Sequence, residues 1–136
     1  MAYSFFLCVE ASAIDANGHV NNVQYLHWMQ EAAIAHADDT GCSAITKAMG
    51  ASWVVRSHYV EYLRPAFVGD EIEIRTWVAS MRKVSSVRKY QIFRKSDDVL
   101  LADGETLWVF VEAASGKPRP IPAEVIACLP PEEGSK

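Results

Sequence analysis

Asp15, Asn17 and His19 occur within one short run, Asp15-Ala16-Asn17-Gly18-His19-Val20-Asn21-Asn22. A carboxylate can attack a carbonyl carbon or take a proton from water, an amide can orient either group, and an imidazole exchanges a proton near neutral pH. The run leads into Val23-Gln24-Tyr25-Leu26-His27-Trp28-Met29-Gln30-Glu31-Ala32-Ala33-Ile34, which reads as a helix. The first N–H groups of a helix have no partner within it and carry partial positive charge, so they suit an anion or a polarised carbonyl oxygen. Together these groups are the inventory of an acyl-transfer site. Asp, Asn and Gly are also ordinary loop and cap residues, so residue type alone leaves a structural reading open.

The helix must hold this loop in place. Asn21 or Asn22 can cap it, Gln24 stands three after Asn21 as in a capping box, and Gly41 can close its C-terminus. Gln24, His27, Glu31 and Asp38 fall on one narrow polar stripe, and apolar side chains cover the rest. Such a helix is expected to be wrapped by other structure. The strand-like sequence that follows makes a curved sheet the expected wrapper.

The pattern Asp15-x-Asn17-Gly18-His19-Val20-Asn21-Asn22-x-x-Tyr25 resembles the signature of hotdog-fold thioesterases of the 4-hydroxybenzoyl-CoA thioesterase superfamily, especially the Asp-x-Asn-x-His-Val-Asn-Asn run of plant acyl-ACP thioesterases. Weaker similarity continues through Tyr62-Leu63-Arg64-Pro65, Gly69-Asp70 and Gly116-Lys117-Pro118. The resemblance implies that Asp15 is nucleophile or general base, that Asn17 and His19 assist, and that the helix start near Asn22 polarises the thioester carbonyl. Gly18, Val20 and Tyr25 would complete the oxyanion and substrate side. Acyl-ACP thioesterases carry a further catalytic acid after the central helix; Glu61 is the nearest candidate, across a gapped alignment. Superfamily relatives often place the turn matching Met81 to Ser86 near coenzyme A. Arg82, Lys83, Ser85 and Arg88 are therefore candidates for its phosphates, with a solvated, aggregation-resistant sheet edge as the alternative.

The chain has 136 residues, enough for one domain over 1–136. A hydrophobic content of 50%, with four Trp, five Tyr and five Phe, excludes disorder. No apolar run approaches the roughly 20 residues that span a bilayer, so no membrane is expected. The formal charge of -4 argues against nucleic acid, whose affinity comes from clustered Lys and Arg. Met1 to Glu10 lacks a basic leader and a cleavage region, so a cytoplasmic location is the expectation. Cys8, Cys42 and Cys128 are widely spaced and odd in number, which suits reduced thiols with packing roles. His19, His27, His36 and His58 are not grouped as ligands and there is no His-Glu-x-x-His, so neither a metal nor another cofactor is expected.

In chain order, Tyr3 to Ala13 reads as a strand, and Cys42 to Ala51 as a connection of small residues. Trp53 to Arg64 is a strand with Trp53, Val55, Ser57, Tyr59, Glu61 and Leu63 on one face, and His58 or Glu61 at a pocket or merely hydrogen-bonded. Glu71 to Ala79 should turn Ile72, Ile74, Thr76 and Val78 toward the helix and Glu71, Glu73, Arg75 and Trp77 to solvent. Val87 to Lys95 and Val99 to Glu112 form a hairpin through Asp97-Asp98. A short helix follows with Pro122 at its first position, to Leu129, and then a frayed tail from Pro130 to Lys136.

The expected fold is α+β: a hotdog, with an antiparallel sheet of about five strands around a long central helix. Open sheet edges favour a homodimer or homotetramer, and in hotdog proteins the active sites lie at the subunit interface. The expected reaction is hydrolysis of an acyl thioester of CoA or acyl carrier protein. Two rivals differ in pattern. Hotdog enoyl-CoA hydratases use Asp-x-Asn-Pro-x-His, and here the Pro is absent and the His one residue closer. A non-catalytic acyl-CoA-binding domain would have no use for Asp15.

Overall fold

The computed structural model describes residues 2–132. Its strands are β1 (Tyr3–Cys8), β2 (Ala51–Tyr62), β3 (Glu71–Met81), β4 (Ser85–Arg94) and β5 (Val99–Glu112), and its helices α1 (Asn22–Asp39), α2 (Cys42–Ala48) and α3 (Ala123–Cys128). The strands form one antiparallel sheet in the order β1-β3-β4-β5-β2. Both β1 and β2 are edges.

α1 begins where Asn21 accepts a hydrogen bond from the Val23 N–H (2.9 Å), and it ends at Thr40 with Gly41 left-handed (φ 83°). The reciprocal arm of a capping box is not made, because the Asn21 N–H goes to Ala13 O (2.9 Å). α1 lies along one face of the sheet. Tyr25, Trp28, Met29, Ala32 and Ala33 pack against Ile72, Ile74, Tyr90, Ile92, Leu101 and Ala102 in the main core. Each fully buried large apolar side chain there contributes about 1.5–3 kcal/mol. Gly104 lets the helix come this close: a Cβ on it would sit 3.1 Å from both Met29 Cε and Tyr59 O.

The wrapping is incomplete. Val23 (58% exposed) and Ile34 (54%) remain uncovered on α1, alongside exposed His27 and Glu31. The apolar circumference expected from the sequence is thus open on the side toward β2.

Other departures have local causes. Cys42 to Ala48 is a helix and not a loop: Cys42, Ile45, Thr46 and Met49 recur at helical spacing and turn inward to a second core with Ala51, Val78, Phe110, Ile121, Val125 and Leu129. The first strand stops at Cys8, and Ala11–Ala13 forms a 3-10 turn. The face assignment of β2 fails past its middle, because a bulge between Val55 and Ser57 shifts the alternation by one residue. His58 and Val60 therefore turn inward, while Tyr59 and Glu61 are exposed.

On β3 the expected inner face is buried, but the outer face is not simply solvated. Trp77 is 6% exposed, as is Glu73, whose carboxylate is held by Ser4 and Arg75. Pro122 caps α3 from outside its first turn. The expected frayed tail begins later, since Glu132 donates its N–H to Val78 O (2.9 Å); Glu133 to Lys136 lie outside the described residues. Cys42 is buried as expected, whereas Cys8 is exposed. Among the described residues no helix is long and apolar enough to cross a membrane.

Candidate active site

The loop before α1 is a closed turn. Ile14 and Val20 form a bridge, the Asp15 N–H donates to His19 O (3.0 Å), and the Gly18 N–H donates to Asp15 O (3.0 Å). Gly18 has φ +83°, a conformation that makes the turn possible and suits glycine best. Asp15 Oδ1 accepts from the Asn17 N–H (2.9 Å), which fixes the half-buried carboxylate and leaves Oδ2 without a partner among the described residues. The turn is anchored to the body of the protein by Val20, which is 1% exposed and donates its N–H to Ala66 O (2.8 Å).

α1 therefore starts at a fixed point. Asn21 engages the Val23 N–H and the Gln24 N–H reaches Asn21 O (2.9 Å), while the Asn22 N–H has no acceptor among the described residues. Beside it opens a cleft of about 240 Å3, lined by His19, Val20, Asn22 and Tyr25 from the loop and helix and by Tyr62, Leu63, Arg64 and Pro65 from the end of β2. Tyr62 ties the two walls together, donating its hydroxyl to Asn22 O (2.9 Å) and meeting the Tyr25 ring edge-on at 5.2 Å. Burial raises both phenols above their ordinary pKa, so they stay neutral donors.

His19, Val20, Asn22 and Tyr25 thus share this cleft. Asp15, Asn17 and Gly18 belong to the adjoining turn and are not part of the lining. Glu61 is exposed on β2, opposite Asp103, and does not reach the cleft. His58 sits between α1 and the sheet, bonded to Thr106 Oγ1 (2.8 Å), and burial lowers its pKa. Its geometry is that of a hydrogen-bonded structural histidine.

The basic cluster expected near the β3–β4 turn is divided. Arg82 and Lys83 are exposed and Ser85 half-buried, but Arg88 is 4% exposed and turned into the protein, where one terminal nitrogen contacts His36 Nδ1 (3.0 Å) and Thr76 Oγ1 (3.1 Å). β4 alternates faces, and Arg88 falls on its buried side. The cation that does stand at the cleft is Arg64, which sequence reasoning placed only inside the Tyr62-Leu63-Arg64-Pro65 similarity. Pro65, three residues beyond the end of β2, is the local signal that would have put these residues at a strand end beside the helix start.

A second cavity, of about 210 Å3 and mostly apolar, lies further along α1 between Ala33, Ile34, Ala37, Trp53, Val78 and Trp108, with Arg88 in its wall. The molecule thus pairs a cleft of mixed polarity at a helix start with a more strongly apolar chamber under the same helix.

Comparison with known proteins agrees with this layout. The acyl-CoA thioester hydrolase YbgC of Escherichia coli is 38% identical over 76 residues, covering 56% of this chain and 56% of that relative's length. Among solved structures, a 1,4-dihydroxy-2-naphthoyl-CoA thioesterase from Synechocystis superposes with a TM-score of 0.84 at 18% identity, over 94% of this chain and 95% of that one. The 12:0-ACP thioesterase from Umbellularia californica gives a TM-score of 0.81 at 19% identity, over 93% of this chain and 48% of that one. At such identities the structural likeness establishes the hotdog fold. The sequence itself goes further: the family model described as the thioesterase-like superfamily matches residues 9–129, from the end of β1 to the end of α3, and the chain belongs to that superfamily.

Proposed function

We propose that this protein hydrolyses acyl thioesters of coenzyme A or acyl carrier protein, with no metal or other cofactor. The observation that carries the proposal is the cleft at the start of α1, lined by Asn22, whose N–H has no acceptor among the described residues, beside a hydrogen-bonded turn that holds a carboxylate. In this reading the thioester oxygen takes the Asn22 N–H and the helix start, which stabilise the negative charge that develops on it. Asp15 attacks the carbonyl carbon or takes a proton from the attacking water, and its free Oδ2 is the atom available for either role. Asn17 holds the carboxylate through its N–H, and His19 at the cleft wall passes a proton to the leaving thiolate or from water. Arg64 at the mouth pairs with a phosphate of the carrier.

Two copies complete the site. β2 is an edge strand with Val54 (45% exposed) and Tyr59 (64%) on show, and the uncovered flank of α1 runs beside it. A two-fold axis at β2 pairs the strand with its own copy in antiparallel sense and continues the sheet. YbgC and the naphthoyl-CoA enzyme act on CoA thioesters by their names, which supports the substrate class. A cytoplasmic setting suits the unpaired cysteines.

The test is thiol release from a panel of short, long and aromatic acyl-CoA substrates, run beside an enoyl-CoA whose conjugated double bond is followed by absorbance. Free thiol with the double bond retained is the expected result. Loss of the double bond without thiol release would make the protein a hydratase, and binding without either change would make it a non-catalytic acyl-CoA-binding protein.

A further inference from the structure

The apolar chamber under α1 has a cationic wall that its own fold leaves partly unused. Arg88 is 4% exposed, and both of its hydrogen bonds, to His36 and Thr76, use the same terminal nitrogen. The other edge of the guanidinium, Nε with Nη2, is the fork that grips a carboxylate with two parallel hydrogen bonds. That edge has no partner among the described residues, and Arg88 joins none of the ion pairs formed among them. Burial disfavours the Arg88 charge and is the larger influence, while the Glu132 carboxylate favours it. An arginine kept in so dry a place without a bound anion is expensive.

The rest of the wall also offers donors. Trp53 and Trp108 line the chamber, and their indole N–H groups are buried without a hydrogen bond. They lie within reach of the Cys42 thiol and the Tyr90 hydroxyl but make no properly formed bond to them. Of the two serines in the wall, Ser43 and Ser86, the latter already gives its hydroxyl to Ser80 O (2.9 Å). Arg88, Trp53 and Trp108 together line an apolar chamber of about 210 Å3, and such a wall fits a ligand that is mostly hydrocarbon and ends in an oxygen anion.

We infer that this chamber holds the far end of the acyl group and selects acyl thioesters that end in a carboxylate, bound by the Nε/Nη2 edge of Arg88. The inference rests on the thioesterase reading. Within one chain Ala33 at the chamber is about three helical turns beyond Asn22. In an antiparallel β2 pair centred on the middle of the strand, the Trp53 end of one strand would meet the Tyr62 end of the other and set the chamber of one copy beside the cleft of its partner.

The experiment compares adipyl-CoA with hexanoyl-CoA, which differ in the terminal carboxylate, by steady-state thiol release with the wild type, Arg88→Met, Arg88→Lys and Trp53→Phe. Wild type should prefer adipyl-CoA. Arg88→Met should lower the adipyl-to-hexanoyl ratio of kcat/KM by at least about tenfold, the loss expected for a charge-assisted bidentate pair, and Arg88→Lys should restore it only in part. Trp53→Phe, which keeps an aromatic ring and removes the N–H donor, should lower the ratio less. Equal loss on both substrates, or a wild type indifferent to the terminal group, would overturn the assignment. Calorimetric binding of free adipate to wild type and Arg88→Met separates the two readings. Binding that depends on Arg88 without any thioester turnover would retain the chamber and reject the hydrolase, whereas turnover without such binding or preference would do the reverse. Circular-dichroism melting identifies a variant that fails to fold; if Arg88→Met does, Arg88→Lys and Trp53→Phe decide by the same ratio.

Discussion

His36 shows how far a single side chain's environment governs the behaviour of this molecule. It lies on the inner side of α1, stacks on Tyr3 at 4.8 Å, and faces the Arg88 guanidinium, with Asp39 and Glu132 exerting an opposing pull. Burial first, and the Arg88 charge second, lower its pKa from 6.5 to about 4. The neutral ring accepts the Arg88 N–H through Nδ1, so protonation would set two cations against each other. Because the unfolded chain takes up a proton near 6.5 and the folded one only near 4, the unfolded state binds more protons between those values. Stability is therefore present in full above pH 6.5 and is lost as pH falls toward about 4. Urea-unfolding midpoints measured from pH 7.5 to 4 should fall over that window, and the fall should be smaller in His36→Phe than in the wild type. A slope unchanged by His36→Phe would remove this residue as its source.

At the scale of elements, the site depends on α1 starting at one defined residue. Asn21 caps the Val23 N–H and passes its own N–H to Ala13, so Asn21→Ala should cost about 1 kcal/mol of unfolding free energy. It should also reduce thioester hydrolysis by more than that loss of stability explains, because the helix start would fray where the oxyanion is to bind. Denaturant titration and thiol release on the same preparation measure both. That much was legible in the chain, because Asn21 and Gly41 are local signals that need no tertiary contact, whereas the capping box expected from Gln24 did not form because the Asn21 N–H went to Ala13. β3 and β5 were legible for the same reason, through alternation and turn residues. What escaped was set by packing. α2 became helical to close a second core, the β2 bulge reversed the outlook of His58, Tyr59 and Glu61, and Arg88 turned inward where its sequence neighbours suggested a surface patch. The Asp15 loop was recognisable from residue order, but the Tyr62 wall comes from a strand forty residues away along the chain and is set by long-range contact.

For the whole molecule the question is what covers the side that one chain leaves open. Val23, Ile34, Val54 and Tyr59 stand exposed on α1 and the β2 edge, and an unpaired edge strand with apolar side chains seeks a partner. Val54→Lys combined with Tyr59→Lys should shift the protein toward monomer in analytical ultracentrifugation, and hydrolysis should fall with the dimer fraction if the acyl chamber belongs to the partner copy. Dimer retained with both lysines present would place the association elsewhere. The central claim concerns the Asp15 carboxylate and the α1 start acting on one thioester, and the most direct measurement is the kcat of Asp15→Asn for thiol release from acyl-CoA. That kcat should fall by at least about a hundredfold, as for loss of a nucleophile or general base, with unfolding temperature and oligomeric state unchanged. Wild-type turnover in that folded variant would contradict it.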